Sequence, residues 1–377
     1  MPNINSKLAD YSSQFHKPQG GYFLTHSIGL MPRSTSNQLE QHYLQPWKSA
    51  DQDTWSHWLN EIQNFNQALA TLFNSDADLF CPQSNVSSGL AKVIQSLPKR
   101  DGRTVIVASE SDFPSAGFVL QQAERYGFTL KLIPKTADLQ SDEVWEQALT
   151  ADVHSVFLTH VLYNNNAKTP VERISKICRQ RGIISMMDVA QSAGIVPIDL
   201  TKLEIDVVVG SCIKWLCGGP GAGFMWIRRE LITELKPADV GWFSHRNPFE
   251  FKIDNFEYHQ SAARFWGGTP SVTAYVIATN SINLINQIGV ATIQQHNRQL
   301  TKIVRTSVAE ECIASPLNDD QKGGTIVLKF SRQDVIEEKM RAQGMHFDSR
   351  QYGIRLSPHI YNSMEEIEQL TACFSTP

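Results

Sequence analysis

From residue 80 to residue 230 the chain repeats one unit: a short apolar run, a polar or glycine-rich loop, then an amphipathic stretch of helical length. The runs at 104–108 (TVIVA), 155–159, 183–188 (IISMMD) and 207–209 (VVV) are short, and several are rich in β-branched residues. They read as strands buried on both faces. Strands alternating with helices predict an α/β fold around a mostly parallel sheet. Such a sheet binds ligands outside the carboxyl ends of its strands, so the loops after the runs are where chemistry is expected. The run at 223–227 is expected to return along the sheet.

Two of these strand ends carry an informative residue. Lys214 follows the VVV strand inside 206–223, DVVVGSCIKWLCGGPGAG. Glycine around it suggests a large group lying close to the backbone. Burial or nearby positive charge makes a lysine a free amine able to hold an aldehyde as an imine. An ordinary exposed lysine in a glycine-rich loop explains this stretch equally well. Asp188 ends the strand IISMMD. A buried carboxylate needs a cationic partner, although an acid after a strand also serves as a helix N-cap. Taken together, the two residues favour pyridoxal 5'-phosphate (PLP). The lysine would take the aldehyde, and the acid would keep the pyridine nitrogen protonated so that the ring draws in electrons.

Other segments supply candidates around this pair. Asn85, Ser87 and Ser88 precede a helical run, where free N–H groups and hydroxyls suit a phosphate and equally suit an ordinary cap. Phe113 lies in a loop after a strand, where it could stack on a flat ring or simply pack. His26 sits in a loop that could line a pocket. Residues 164–166 (NNN) read as a turn or as pocket amides. Residues 36–74 read as one helix with an aromatic stripe, Trp47, Trp55, Trp58 and Phe65, suited to core or subunit contact. Residues 235–272, including Trp242, are irregular and aromatic, and a loop of that length is usually functional.

A long helix at 273–311 is expected to lead into a smaller α+β unit. That unit has strands near 325–330 and 353–356, a helix near 333–343, and a last helix with a capping box at Ser363. Arg355, between Ile354 and Leu356, could grip a carboxylate with its planar fork or form a surface salt bridge. The expected organisation is an arm over 1–35, a large cofactor-binding domain over 36–272, and a linker helix with a small domain over 273–377.

Composition narrows the function classes. A net charge of −4 without a basic block argues against nucleic acid or an anionic membrane surface as the main partner. No apolar run reaches the roughly 20 residues needed to span a bilayer. The N-terminus is polar, without a signal-peptide core. The six cysteines form no CxxC pair, so no metal site is expected and reduced thiols in the cytoplasm are.

The order of these segments resembles the class V aminotransferases, a fold-type-I PLP group that includes kynureninases and cysteine desulfurases. The resemblance is carried by the Ser87 and Phe113 loops, Asp188-Val-Ala-Gln191, Ser211-Cys-Ile-Lys214, the RFWGGTP run at 264–270 and the IRLSPHIYN run at 354–362. It implies that Lys214 carries the cofactor, that Asp188 holds the pyridinium and that Gln191 reaches the ring oxygen. Val86 (through its backbone), Ser87 and Ser211 would hold the phosphate, and Phe113 would stack on the ring. Thr269 would close the phosphate cup of a neighbouring subunit in a homodimer. Arg355 would bind the substrate α-carboxylate, with His26, Tyr163 and Trp242 as further substrate contacts.

No cysteine lies between Cys312 and Cys373, where desulfurases carry their nucleophile. The segments FLTHSIGLMP, SDFPSA and GWFSH look kynureninase-like. Before the lysine, where kynureninases place tyrosine and desulfurases histidine, this chain has Ile213. The implied activity is side-chain cleavage of an amino acid, by Cβ–Cγ hydrolysis or β-elimination. Transamination to a keto acid is the alternative, and a non-catalytic relative of the fold is a more distant one.

Overall fold

The computed structural model describes residues 10–50 and 53–374. Seven strands form the main sheet: β1 (Phe80–Gln83), β2 (Val105–Ser109), β3 (Thr129–Ile133), β4 (Val153–Thr159), β5 (Ile184–Asp188), β6 (Val207–Ser211) and β7 (Gly223–Ile227). Their order is β1-β7-β6-β5-β4-β2-β3. β2 to β6 pair in parallel, whereas β7 is antiparallel to both β6 and β1. Only β7 therefore runs against the others, as its expected return along the sheet requires. Every residue of β4 and β5 is buried, as expected of strands covered on both faces. Asp206 pins the starts of β5 and β6 together. Its carboxylate accepts from the Ser185 N–H at 2.9 Å and from Arg228 Nε at 2.7 Å.

Because six of the seven strands point the same way, their carboxyl ends share one edge, and five of the loops there meet at one place. These loops follow β1, β2, β4, β5 and β6. The helix Val86–Ser96 starts at the first of them. Its N-cap Asn85 accepts from the Ser88 N–H at 2.9 Å, and the Ser88 side chain returns to the Asn85 N–H. The cap therefore absorbs Ser88.

A second, antiparallel sheet has the order β8-β10-β9: β8 (Ile326–Leu328), β9 (Asp348–Arg350) and β10 (Gly353–Leu356). It has its own apolar core, including Leu300, Ile336, Met340, Ile354 and Ile367, closed by the helices Gln333–Ala342 and Met364–Ala372. The expected capping box at Ser363 is present. The segment 21–29 ties this unit to the main sheet. Phe23 exchanges backbone hydrogen bonds with His346 and Ser357, and the Gly29 N–H donates to the Ile213 carbonyl at 2.8 Å. A Cβ at Gly29 would collide with the Lys214 carbonyl oxygen, so only glycine lets the arm pass against the lysine loop.

Two expected elements are broken. The stretch 36–74 is not one helix. It contains a π turn at Glu40–Leu44, a left-handed stop at Ala50 and a new start at Thr54–Phe73. The expected helix over 273–311 is two, Val272–Ile288 and Val290–Thr306, which meet at 76°. The bend falls at Gly289, whose φ of +87° suits glycine. Among the described residues no single helix is long and apolar enough to cross a membrane.

Candidate active site

The five loops enclose a cavity of about 200 Å³, lined among others by Val86, Ser87, Phe113, Tyr163, Asp188, Gln191, Ser211 and Lys214. These candidates come from all five loops and converge on one site.

Lys214 follows β6, partly exposed to the cavity, with Nζ 5.7 Å from the centre of the Phe113 ring. Burial lowers its pKa from the ordinary lysine value. The Asp188 charge opposes that shift and the Arg355 charge adds to it. Asp188 is buried at the end of β5, and one of its oxygens accepts from the Ala190 N–H at 2.7 Å. Burial raises its pKa, opposed by that hydrogen bond and by Lys214. A carboxylate with one oxygen engaged has room for a cation facing the other.

The first turn of the Val86–Ser96 helix offers the Val86 and Ser87 N–H groups and the Ser87 hydroxyl at its positive end. Phe113 is the N-cap of the following helix, with Pro114 at its first position. Its ring meets Tyr163 edge-on at 5.2 Å.

Arg355 is buried on β10, opposite Asp348 across the hairpin. Its Nε donates to Asp348 at 2.8 Å, Nη2 donates to the other Asp348 oxygen, and Nη1 donates to the Tyr163 carbonyl at 2.8 Å. That engages three of the five guanidinium donors and leaves two. His26 does not line the cavity, contrary to the expectation of a pocket residue. Its buried ring is held by Asp348 at 2.9 Å and by Ser357 Oγ at 2.7 Å. A charged Asp348 takes the proton on Nε2, so Nδ1 accepts from Ser357. Contact with His26 and Arg355 holds Asp348 well below the usual carboxylate range despite its burial.

Trp242 and Thr269 lie away from this cavity. The loop of Trp242 packs on the glycines before Thr269, where the Phe243 N–H donates to the Gly267 carbonyl at 3.1 Å. Trp242 belongs to an aromatic cluster with Trp55, Phe249 and Phe251.

Two local expectations are corrected. The glycines after Lys214 do not lie against the cavity. A Cβ at Gly218 would press on Cys212 and on Ala278 of the Val272–Ile288 helix, and one at Gly223 would meet the Asn85 backbone. They serve protein packing. The 164–166 asparagines are not pocket amides. Asn166, at φ +65°, donates to the Thr325 carbonyl, and Asn165 closes the turn onto the Ala167 N–H.

Several residues of the site carry little signal in the sequence. Asp112 is buried beside Phe113. It accepts from Thr159 Oγ1 at 2.6 Å and from the Ser109 N–H at 2.8 Å, and its carboxyl is pushed up to about 7 by burial, with the Asp188 charge contributing. Its place before Phe-Pro reads as an ordinary loop acid. Asp348 has a signal: an acid and an arginine seven residues apart around Gln351-Tyr352-Gly353 become partners if that stretch is a hairpin. Trp215 has none beyond its place after the lysine.

A buried acid, a half-buried lysine, a flat ring and an open helix N-terminus around one cavity are the donor set of a PLP enzyme of fold type I, and the residues fit that group. The sequence model of the family described as aminotransferase class-V matches residues 32–370, and the chain belongs to that family. It is 26% identical to the Bacillus subtilis protein described as the uncharacterized aminotransferase YcbU, over 83% of each chain. It is 25% identical to the kynureninase of Bacillus anthracis, over 97% of this chain and 90% of the relative. A solved structure of a cystine C–S lyase, C-DES, superposes with a TM-score of 0.83 at 22% identity, over 94% of this chain and 98% of that one, and shows the shared fold. The protein is a PLP-dependent enzyme.

Proposed function

We propose that the enzyme cleaves the side chain of an α-amino acid, in the manner of a kynureninase, by Cβ–Cγ hydrolysis or β-elimination. Bound PLP supplies an electron sink whose protonated ring nitrogen draws on the electron pair released at Cα. Asp188 keeps that proton in place, since a buried carboxylate and a buried cation stabilise each other's charge. The Val86 and Ser87 N–H groups, with the Ser87 and Ser211 hydroxyls, would hold the phosphate. Gln191 would meet the ring oxygen, and Phe113 would cover the ring. Lys214, its ammonium weakened by burial, would be the base for the Cα proton. The two remaining donors of Arg355 take the α-carboxylate, which fixes the Cα bonds relative to the ring.

The observation that carries the choice of side-chain cleavage is Tyr163. Its ring lines the cavity against Phe113, while its own carbonyl is bonded to Arg355. The substrate side chain would thus lie near the Tyr163 ring, next to the residue whose backbone anchors Arg355. The full-length kynureninase relatives support the same reading.

A homodimer completes the site in this reading, with Thr269 facing the neighbour's phosphate. Support comes from the exposed aromatics of the adjoining loop: Phe251 is 76% exposed and Phe249 51%. The test of the reaction is product analysis after incubating the holoenzyme with an amino-acid panel. Side-chain cleavage yields alanine plus a cleaved acid, or pyruvate, ammonia and the released side-chain group. Accumulation of a keto acid that keeps the whole side chain, with the cofactor left as its amine, would favour the transaminase instead.

A further inference from the structure

The Gln191 side chain is held at both ends by groups of fixed polarity. Its Oε1 accepts from the Trp215 indole N–H at 3.2 Å, and its Nε2 donates to the His26 carbonyl at 3.0 Å. An indole N–H can only donate and a carbonyl can only accept, so the amide has one orientation that satisfies both. Flipping it would set donor against donor and acceptor against acceptor, in a site where unmet polar groups are costly. Gln191 nonetheless lines the cavity. With Oε1 turned to Trp215 and one Nε2 proton on His26, the second Nε2 proton is the donor left for a bound group.

Both anchors are themselves fixed. Trp215 is 1% exposed, and its six-membered ring lies so close to Gly324 that a Cβ there would meet it at 2.5 Å. The His26 backbone is carried by the arm that also hydrogen bonds to the lysine loop through Gly29. The residue after the cofactor lysine thus reaches back, over 24 positions of sequence, to set an amide that follows the preceding strand.

We propose that Trp215 is a positioning residue. Its N–H, with the His26 carbonyl, locks Gln191 as a hydrogen-bond donor toward the cavity and so makes the site selective for an anionic oxygen on the bound ring. The inference rests on the PLP reading and adds the means by which Gln191 acquires its polarity. A donor at that oxygen stabilises its negative charge most when the neighbouring cofactor–lysine nitrogen is unprotonated, because no adjacent positive charge then offsets it. Losing the donor must therefore raise the pH at which the lysine-bound cofactor loses its proton.

The experiment is a spectroscopic pH titration of the holoenzyme and of Trp215→Phe, Gln191→Leu and the double variant. Trp215→Phe keeps an aromatic ring and removes the N–H. Gln191→Leu removes the donor without adding a charge. Each single variant should raise the midpoint, Gln191→Leu by about a pH unit or more. The double variant should match Gln191→Leu, with nothing added by Trp215→Phe once the donor is gone. A Trp215→Phe midpoint equal to wild type, with Gln191→Leu shifted, would overturn the inference and leave the PLP reading intact. So would additive shifts, or an unmoved Gln191→Leu midpoint. If Trp215→Phe fails to retain cofactor, Trp215→Tyr supplies the second reading: a raised midpoint there supports the positioning role, and an unmoved one overturns it. Failure of wild type to show any cofactor absorbance would instead contradict the PLP reading itself.

Discussion

Asp112, Thr159 and Asp188 lie in a row across the ends of β2, β4 and β5, with Thr159 paired in register with Asp188. Two carboxylates so placed do not ionise independently. Burial takes the Asp112 carboxyl from its ordinary 3.8 up to about 7. Between those values the folded chain holds a proton that the unfolded chain has released, so this group's contribution to stability falls as pH rises from about 4 to about 7 and is level above that. Asp112→Asn has no such titration, and Thr159, whose hydroxyl can donate or accept, can take the amide as a donor. The variant should therefore gain on wild type between pH 5 and pH 8. The gain is at most a few kcal/mol, because a tenfold change in proton affinity is worth about 1.4 kcal/mol. Urea midpoints at the two pH values measure this. An identical wild-type-to-variant difference at both would show that Asp112 does not titrate in that window.

The elements are legible in the sequence where a single period governs them. The buried runs leading into β5 and β6 announce themselves by their apolar residues, and their carboxyl ends deliver Asp188, Ser211 and Lys214. The helix breaks are less visible. Ala50 and Gly289 interrupt stretches whose polarity pattern continues past them, and only the left-handed backbone at each marks the end. The glycine run after Lys214 misleads because glycine records close approach without saying to what. Here the partners are Ala278 and the Asn85 backbone rather than a ligand. The supporting residues are least legible. Asp348 meets Arg355 only through hairpin register, and Trp215 meets Gln191 only through the fold. His26 joins these two systems, its carbonyl on Gln191 and its ring on Asp348, so one residue of the arm touches both a cavity-lining amide and the partner of Arg355.

At the scale of the molecule, the second sheet brings Arg355 onto the Tyr163 carbonyl, beside a loop that lines the main cavity, and the aromatic loop near Trp242 leaves Phe249 and Phe251 exposed. In the proposed homodimer a second copy of the chain would cover that loop. Replacing Phe251, far from the cavity, with aspartate should weaken dimerisation at least about tenfold by sedimentation, since a buried unpaired charge replaces an aromatic anchor. A variant as dimeric as wild type at equal concentration would move the interface elsewhere. The proposed chemistry depends on one covalent attachment, cofactor to Lys214. Borohydride reduction of the holoenzyme followed by peptide mass spectrometry should find the reduced cofactor on Lys214, and Lys214→Ala should lose the visible absorbance band. Cofactor fixed to a different lysine, with Lys214 unmodified, would contradict it.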